Sequence, residues 1–248
     1  MAEMNPPKLA LCIPTRDSVK AEAFRGLMWC ASESAVWWLD TFPGADVSHY
    51  FTQNSHVAEA RSTIANACAE TGVDWMLWLD DDADPPRDLL KNLMASDKQF
   101  LAPTFFRKLP PYSPCCFEIG PRRADGRFDT VTCDPDPPRL FRADATGFHT
   151  VLMHRSVLVK VRERLGPKAA FFEKNWFTAE DIYFCIAAKA AGVELWIDSR
   201  IEVKHVGAHS FGKREYAAFR ERPDGVQRQS EAATQHARES EALAWKRS

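Results

Sequence analysis

The sequence has no net charge to speak of, no apolar run long enough to cross a membrane, no Cys-x-x-Cys pair and no phosphate-cradling glycine loop. Each absence removes a class. Lys plus Arg number 32 against 34 Asp plus Glu, a formal charge of −2, so no global field draws in nucleic acid or anionic lipid, and only a local basic patch could do so. No stretch approaches the roughly 18 uninterrupted apolar residues of a spanning helix. The opening "MAEMNPPKLALCIPTRD" carries an early acid and a short apolar run stopped at Pro14, which is not the layout of a secretory signal. A cytoplasmic protein without an integral membrane segment is expected. The seven cysteines, Cys12, Cys30, Cys68, Cys115, Cys116, Cys133 and Cys185, are odd in number and lie mostly inside apolar runs. They read as small core residues in a reducing compartment rather than as disulfides or a zinc site. No internal repeat is present.

What is there suits a folded globular chain. Its 248 residues are 45% hydrophobic and 27% charged, ordinary proportions that allow one sizeable core. "KLALCIPT" reads as a buried first strand, and "SVKAEAFRGLMWCASESAVWWL" as a helix capped by Ser18. "VSHYFTQ" reads as a second strand and "SHVAEARSTIANACAETG" as a helix closed by Gly72. "DWMLWLD" is apolar enough for a third strand buried on both faces. This alternation predicts a mainly parallel sheet flanked by helices. Residues 101–144, rich in Pro, Arg and aromatics, read as a small irregular or antiparallel β excursion with a turn at "ADGR". "TGFHTVLMHRSVLVKVRERLG" returns to strand then helix, and "TAEDIYFCIAAKAAGV" is a helix capped by Thr178. "ELWID" and "IEVKHVG" read as short strands. After about residue 211 a helical tail follows, broken near residues 223–225.

The most informative stretch is "DWMLWLDDDADPP", where the third strand runs straight into Asp80, Asp81, Asp82 and Asp84. Ligands gather at the carboxyl ends of strands in such sheets. Carboxylates crowded there repel one another unless a cation is present, and a hard divalent metal resolves the conflict. Alternate residues leaving a strand point the same way, so Asp80 and Asp82 can face one ligand while Asp81 turns elsewhere. Asp84, before two prolines and an amphipathic run, reads instead as a helix cap with Pro85 in the first turn.

Five segments in order, "IPTRD", "LDDDA", "ATGFHTVLMHR", "AEDIYFCIAAKAAGVELWID" and "VKHVG", resemble the motifs of GT-A fold, family-two-like glycosyltransferases, including compact enzymes of bacteria and bacteriophages. The resemblance covers roughly residues 8 to 207. It implies a Rossmann-like α/β fold with one catalytic domain over residues 1–210, a nucleotide-binding half at about 8–100, an acceptor half at about 101–210, and a helical extension over 211–248. It also implies an enzyme moving a hexose from a nucleotide sugar, a UDP-sugar first, to a hydroxyl.

The resemblance assigns roles residue by residue. Asp80 and Asp82 fall in the Asp-x-Asp that holds Mn²⁺ or Mg²⁺, Asp82 touching the metal and Asp80 the ribose or a metal-bound water. His205 completes the metal site, and imidazole among the ligands suits Mn²⁺ better than Mg²⁺. Asp181 becomes the general base of an inverting enzyme, with Glu180 orienting it or the acceptor. Pro14, Thr15, Arg16, Asp17, Arg61, Asp81 and Gly147 fall on the donor side, where the forked donors of Arg61 fit a diphosphate. Phe148, His149 and Trp176 fall on the acceptor side. The acceptor class stays open between a glycan, such as an envelope polymer, and hydroxymethylated DNA, for which the Arg-rich stretch 107–142 leaves room. Oligomeric state and anomeric outcome are not legible. Two other readings of the aspartates stay open: a nucleotidyl or phosphoryl transferase with two-metal chemistry, and a non-catalytic nucleotide-sugar-binding protein.

Overall fold

The computed structural model describes residues 5–15, 18–53, 56–175, 178–207 and 210–221. The expectations placed on Arg16, Asp17 and Trp176, and on the chain beyond residue 221, lie outside those residues. In chain order the elements are β1 (Lys8–Ile13), α1 (Ala21–Thr41), β2 (Asp46–Phe51), α2 (Val57–Thr71), β3 (Trp75–Leu79), β4 (Ala83–Asp84), α3 (Leu89–Met94) and β5 (Phe100–Thr104). Then come β6 (Cys116–Arg122), β7 (Phe128–Thr132), β8 (Leu140–Ala143), β9 (Ala145–Thr146), β10 (Thr150–His154) and α4 (Arg155–Leu165). The rest are α5 (Glu180–Ala190), β11 (Leu195–Glu202), β12 (Lys204–Val206), β13 (Ser210–Phe211) and α6 (Lys213–Arg220).

The expected α/β architecture is present. A seven-stranded sheet runs in the order β2-β1-β3-β10-β5-β11-β8. β1 pairs in parallel with β2 and β3, as β5 does with β11, while β10 and β8 run against their neighbours. Two three-stranded sheets, β13-β12-β4 and β7-β6-β9, flank it. β3 is buried from Met76 to Leu79, which explains why its sequence is continuously apolar rather than alternating. The sheet separates two cores. One is aliphatic, with Leu9, Leu11, Leu77 and Leu79 packed under α1 and α3. The other is aromatic: Phe148 meets Phe172 and Phe184 edge-on at 4.8 and 5.1 Å, and Phe172 stacks on Phe184 at 4.7 Å. The cysteines are all free thiols.

Several local expectations are corrected. Residues 101–144 are not wholly an excursion, because β5 lies within the main sheet and β8 forms its edge; Pro103 suggests irregular chain, yet it stands in register opposite Asp198. The "ADGR" turn does join an antiparallel pair, β6 and β7, through Gly126 at φ 85°. Asp84 caps no helix. A residue before proline is pushed toward extended geometry, and Asp84 accordingly sits in β4 opposite Lys204, leaving Asp88 at the start of α3. Its carboxylate lies against α1 where a Cβ on Gly26 would stand 2.5 Å from Asp84 Oδ1, so only glycine fits there. α1 begins after Lys20 rather than at Ser18, and α5 after Ala179 rather than Thr178, neither with a side-chain cap. Gly72 does close α2, at φ 68°.

Phe184 packs against the rings of Phe100, Phe148 and Phe172. Truncating it, Phe184→Ala, is expected to cost roughly 3–5 kcal/mol, read as a lowered urea midpoint with an unchanged slope.

Candidate functional site

Where β3 ends, the chain does not leave in an extended line. Ala83 N–H donates to the Asp80 carbonyl at 3.0 Å, closing a turn in which Asp80 meets Arg61 while Asp82 meets His205 and Lys108. The chain is not extended here as the Asp-x-Asp argument assumes, although residues 80–82 still border one cavity. Two neighbouring strands meet this turn. β10 runs antiparallel to β3 with Thr150 opposite Leu79, and Asp80 N–H donates to the His149 carbonyl at 2.8 Å. β12 pairs His205 with Ala83, and Val206 N–H donates to the Asp82 carbonyl at 2.8 Å. Backbone pairing thus delivers His149 and His205 to Asp82.

Among the described residues, Asp82, His149 and His205 form a group that could hold a metal ion, with candidate ligand atoms all within 4.8 Å of one another. Asp82 Oδ1 lies 3.2 Å from His205 Nε2 and 3.8 Å from His149 Nε2. The two rings are 4.3 Å apart, and Phe105 stacks on His149 at 4.8 Å. His205 Nδ1 is 3.0 Å from the Phe106 carbonyl. A carbonyl only accepts, so Nδ1 carries a proton donated to it, and Nε2 faces Asp82.

His149 Nε2 is buried with no hydrogen-bond partner, and a buried polar atom left unpaired is costly. Burial, with His205 nearby, pushes the His149 imidazole down to about 3, so it is neutral and offers a lone pair at working pH. Burial alone would raise Asp82, but bonds from His205 and Lys108 outweigh it and hold the carboxyl well below its usual range. Two imidazole nitrogens and an ionised carboxylate aimed at one point fit a divalent cation. The mixed set suits Mn²⁺, Co²⁺ or Zn²⁺ better than Mg²⁺.

Behind this group lies a buried ionic clamp. Arg61, on the inner face of α2 and 3% exposed, donates from Nη2 to both Asp80 carboxylate oxygens at 2.8 Å and from Nη1 to Glu180 Oε1 at 2.7 Å. Burial opposes its charge, but Asp80, Asp181 and Glu180 together raise the guanidinium further. Arg61 therefore does not present its fork to a donor diphosphate as expected; the fork is spent on two carboxylates. Asp80, likewise, is engaged by Arg61 and lies outside the metal-ligand group. Burial raises its pKa against the pull of Arg61.

Asp181, next to Glu180 in the first turn of α5, points toward Gly147. A Cβ on Gly147 would stand 3.5 Å from Asp181 Oδ2 and 3.0 Å from the Phe105 ring, so glycine lets both side chains pack closely on the backbone. Burial, with repulsion from Glu180 and Asp80 against the pull of Arg61, raises Asp181 to about 6. Pro14, Thr15, His56, Ala60 and residues 80–82 line a cavity of about 300 Å³. Thr15 N–H donates to Thr52 Oγ1 at 3.2 Å.

Two expectations move. Phe148 is 1% exposed and packs among Trp78, Phe100, Phe172 and Phe184, so its ring faces the core rather than an acceptor. His149 belongs with the candidate metal ligands; a histidine preceding a buried strand was the available signal, but its partner strand was not legible. Lys108 was missed altogether. Its ammonium bonds Asp82 Oδ2, and nothing in "FFRKLPP" announces it.

No family model and no curated protein matches the chain. Among solved structures, A197 from STIV is similar with a TM-score of 0.53 at 13% identity, over 81% of this chain and 86% of that one. The nucleoside-diphosphate-sugar pyrophosphorylase from Vibrio cholerae RC9 gives 0.39 at 12% identity, over 85% and 98%. A Bacillus anthracis protein described as a glucose-1-phosphate thymidylyltransferase, solved with a sucrose, gives 0.42 at 11% identity, over 87% and 96%. The likeness to A197 is one of fold.

Two outcomes are expected of this site. In isothermal titration, Mn²⁺ or Co²⁺ binds more tightly than Mg²⁺, and His149→Ala or His205→Ala each weakens binding by about tenfold or more. Arg61→Met, which leaves Asp80 and Glu180 buried without their cation, lowers unfolding stability by about 3–5 kcal/mol.

Proposed function

We propose that this chain is a metal-dependent glycosyltransferase, moving a hexose from a nucleotide sugar, with UDP-sugars the first candidates, to an acceptor hydroxyl. The observation that supports it best is the raised carboxyl of Asp181, which shares Gly147 with Phe105, the ring stacked on the candidate metal ligand His149. Asp82, His149 and His205 would hold the cation, whose chemistry there would be positive charge against a departing nucleoside diphosphate. Lys108 adds a second positive group on the same side. The cavity beside Pro14 and Thr15 receives the nucleoside, and Gly147 lets the donor sugar approach the backbone closely. Asp181 then accepts the proton of the attacking hydroxyl at Oδ2, its pKa of about 6 leaving it ionised at neutral pH yet basic enough to work. Arg61 fixes Glu180, and through α5 the position of Asp181.

Nucleotidyl transfer to a sugar phosphate is the second reading. A lysine ammonium beside a divalent site, as Lys108 stands beside Asp82, also serves attack on an α-phosphate. A sugar phosphate has a second pKa of about 6, so it arrives ionised and gives Asp181 no task. That favours glycosyl transfer.

The deciding experiment incubates the protein and Mn²⁺ with a panel of UDP- and GDP-sugars, following nucleotide release, and in parallel with nucleoside triphosphates and sugar 1-phosphates, following pyrophosphate. Nucleotide diphosphate release supports the proposal, and pyrophosphate release overturns it. Asp181→Asn is expected to lower kcat by about 10² to 10⁴ with donor binding intact, and wild-type kcat/KM to fall as pH drops below about 6. The same variant has a stability signature. A folded-state pKa above the unfolded carboxylate value means the folded protein holds an extra proton between the two, so stability falls as pH rises through about 6. At pH 7 Asp181→Asn removes that penalty and raises Tm, a gain that fades toward pH 4.

A further inference from the structure

The free cysteines are not equivalent. Cys12 on β1 and Cys68 on α2 set their sulfurs 3.8 Å apart, but both are fully buried, and burial with the neighbouring sulfur pushes the Cys12 thiol well up. Such a pair is inert. Cys116 and Cys133 are placed differently. They stand at the base of the β6–β7 hairpin, one step outside the Phe117–Thr132 pair, and Cys133 N–H donates to the Cys116 carbonyl at 2.9 Å. Residues opposed in this way across antiparallel strands hold their Cα atoms about 5.5 Å apart with both side chains on one face. That separation suits a disulfide. The side chains do meet: the two thiols share a hydrogen bond, and Cys116 Sγ lies 3.6 Å from the Cys133 carbonyl. Cys116 is buried, whereas Cys133 is only half-buried. The bond from Cys116 holds the Cys133 thiol below its usual range, with help from the Arg139 guanidinium and against burial, Glu118 and Asp144. The same contact raises Cys116. Cys115, next in the chain, is pushed up to about 12 by burial.

We propose that Cys116 and Cys133 are a redox-modification site, a thiol pair that a small-molecule disulfide of the oxidised glutathione kind converts to a cross-strand disulfide. Cys133 is the point of entry, because its sulfur is the accessible one. Its thiolate attacks one sulfur of the reagent, a Cys133–glutathione bond forms, and the first glutathione leaves as a thiolate. Cys116 then gives up its proton, its sulfur attacks the Cys133 sulfur, and the second glutathione is expelled. Two protein thiols are oxidised to one disulfide while one reagent disulfide is reduced to two thiols, which take up the two protons released. The bridge closes a loop between residues 17 apart. It fastens the hairpin at the end where Cys116 also pairs with Thr146 on β9, and where the Gly147 N–H donates to the Cys115 carbonyl at 3.2 Å. Oxidation thus fixes the strand against which Thr146 and Gly147 rest. The inference does not depend on the proposed reaction, since neither thiol serves it.

The test incubates the folded full chain in buffers of rising oxidised to reduced glutathione ratio, quenches with acid, alkylates the remaining thiols under denaturing conditions and maps the peptides by mass. The expected product is lighter by two hydrogens, with the bridge between Cys116 and Cys133 and every other cysteine alkylated. Its Tm lies above that of the reduced protein, and dithiothreitol reverses the shift. Cys116→Ala is expected to stop at a mixed disulfide of Cys133 with glutathione. In Cys133→Ala, Cys116 should react about tenfold more slowly or less, and the Tm shift should vanish. Circular dichroism checks that both variants fold, and early acid quenches of the wild type reveal the order of attack without any variant. Both thiols left free in the most oxidising buffer overturn the proposal. So does a bridge that joins Cys133 to Cys115 or Cys12 to Cys68, or a first adduct found on Cys116.

Discussion

The site hangs on the guanidinium of Arg61. One buried fork ties α2 to the end of β3 through Asp80 and to the start of α5 through Glu180, joining parts of the chain separated by 19 and 119 residues. In a low-dielectric setting such a charge is tolerable only because its partners are ionised and well aligned. The clamp fixes α5 against the sheet, and so decides how far Asp181 stands from the strip running from Thr146 to His149. Burial raises that carboxyl's pKa most, and the clamp trims the result, Arg61 pulling down while Glu180 and Asp80 push up. The same three side chains thus bear on both its position and its acidity.

Much of the architecture was legible because it is written in local patterns. β1 and β3 are unbroken apolar runs, α2 ends at a glycine in the left-handed region, and the "ADGR" turn requires Gly126 at positive φ. What could not be read was long-range. That β10 inserts antiparallel between β3 and β5 is a matter of topology, and its consequence, His149 beside Asp82, follows from pairing rather than from any motif. The same holds for Lys108, delivered by a loop whose sequence carries no chemical signature. Arg61 illustrates the opposite failure. Its residue type fits a diphosphate and a buried carboxylate pair equally well, and only burial distinguishes the two.

The Asp-x-Asp shows how a spacing argument can mislead. Two carboxylates at alternate positions share a face only while the backbone stays extended. Here the hydrogen bond from Ala83 to Asp80 bends the chain at once, and Asp80 pairs with Arg61 while Asp82 pairs with the histidines and Lys108, though both still border one cavity. Asp84 makes a third contact, against Gly26. Repulsion among the carboxylates is relieved by separation and by distinct counter-charges.

Lys108 and the Phe106 carbonyl come from one short loop, yet they act on the candidate metal group in opposite senses. The carbonyl orients His205, while the ammonium occupies an oxygen of Asp82. The histidines face Oδ1 of Asp82 and the ammonium Oδ2, so a single carboxylate ties the candidate ligands to the loop that buttresses the imidazole, and ionic strength that loosens the Lys108 tether slackens that buttress as well.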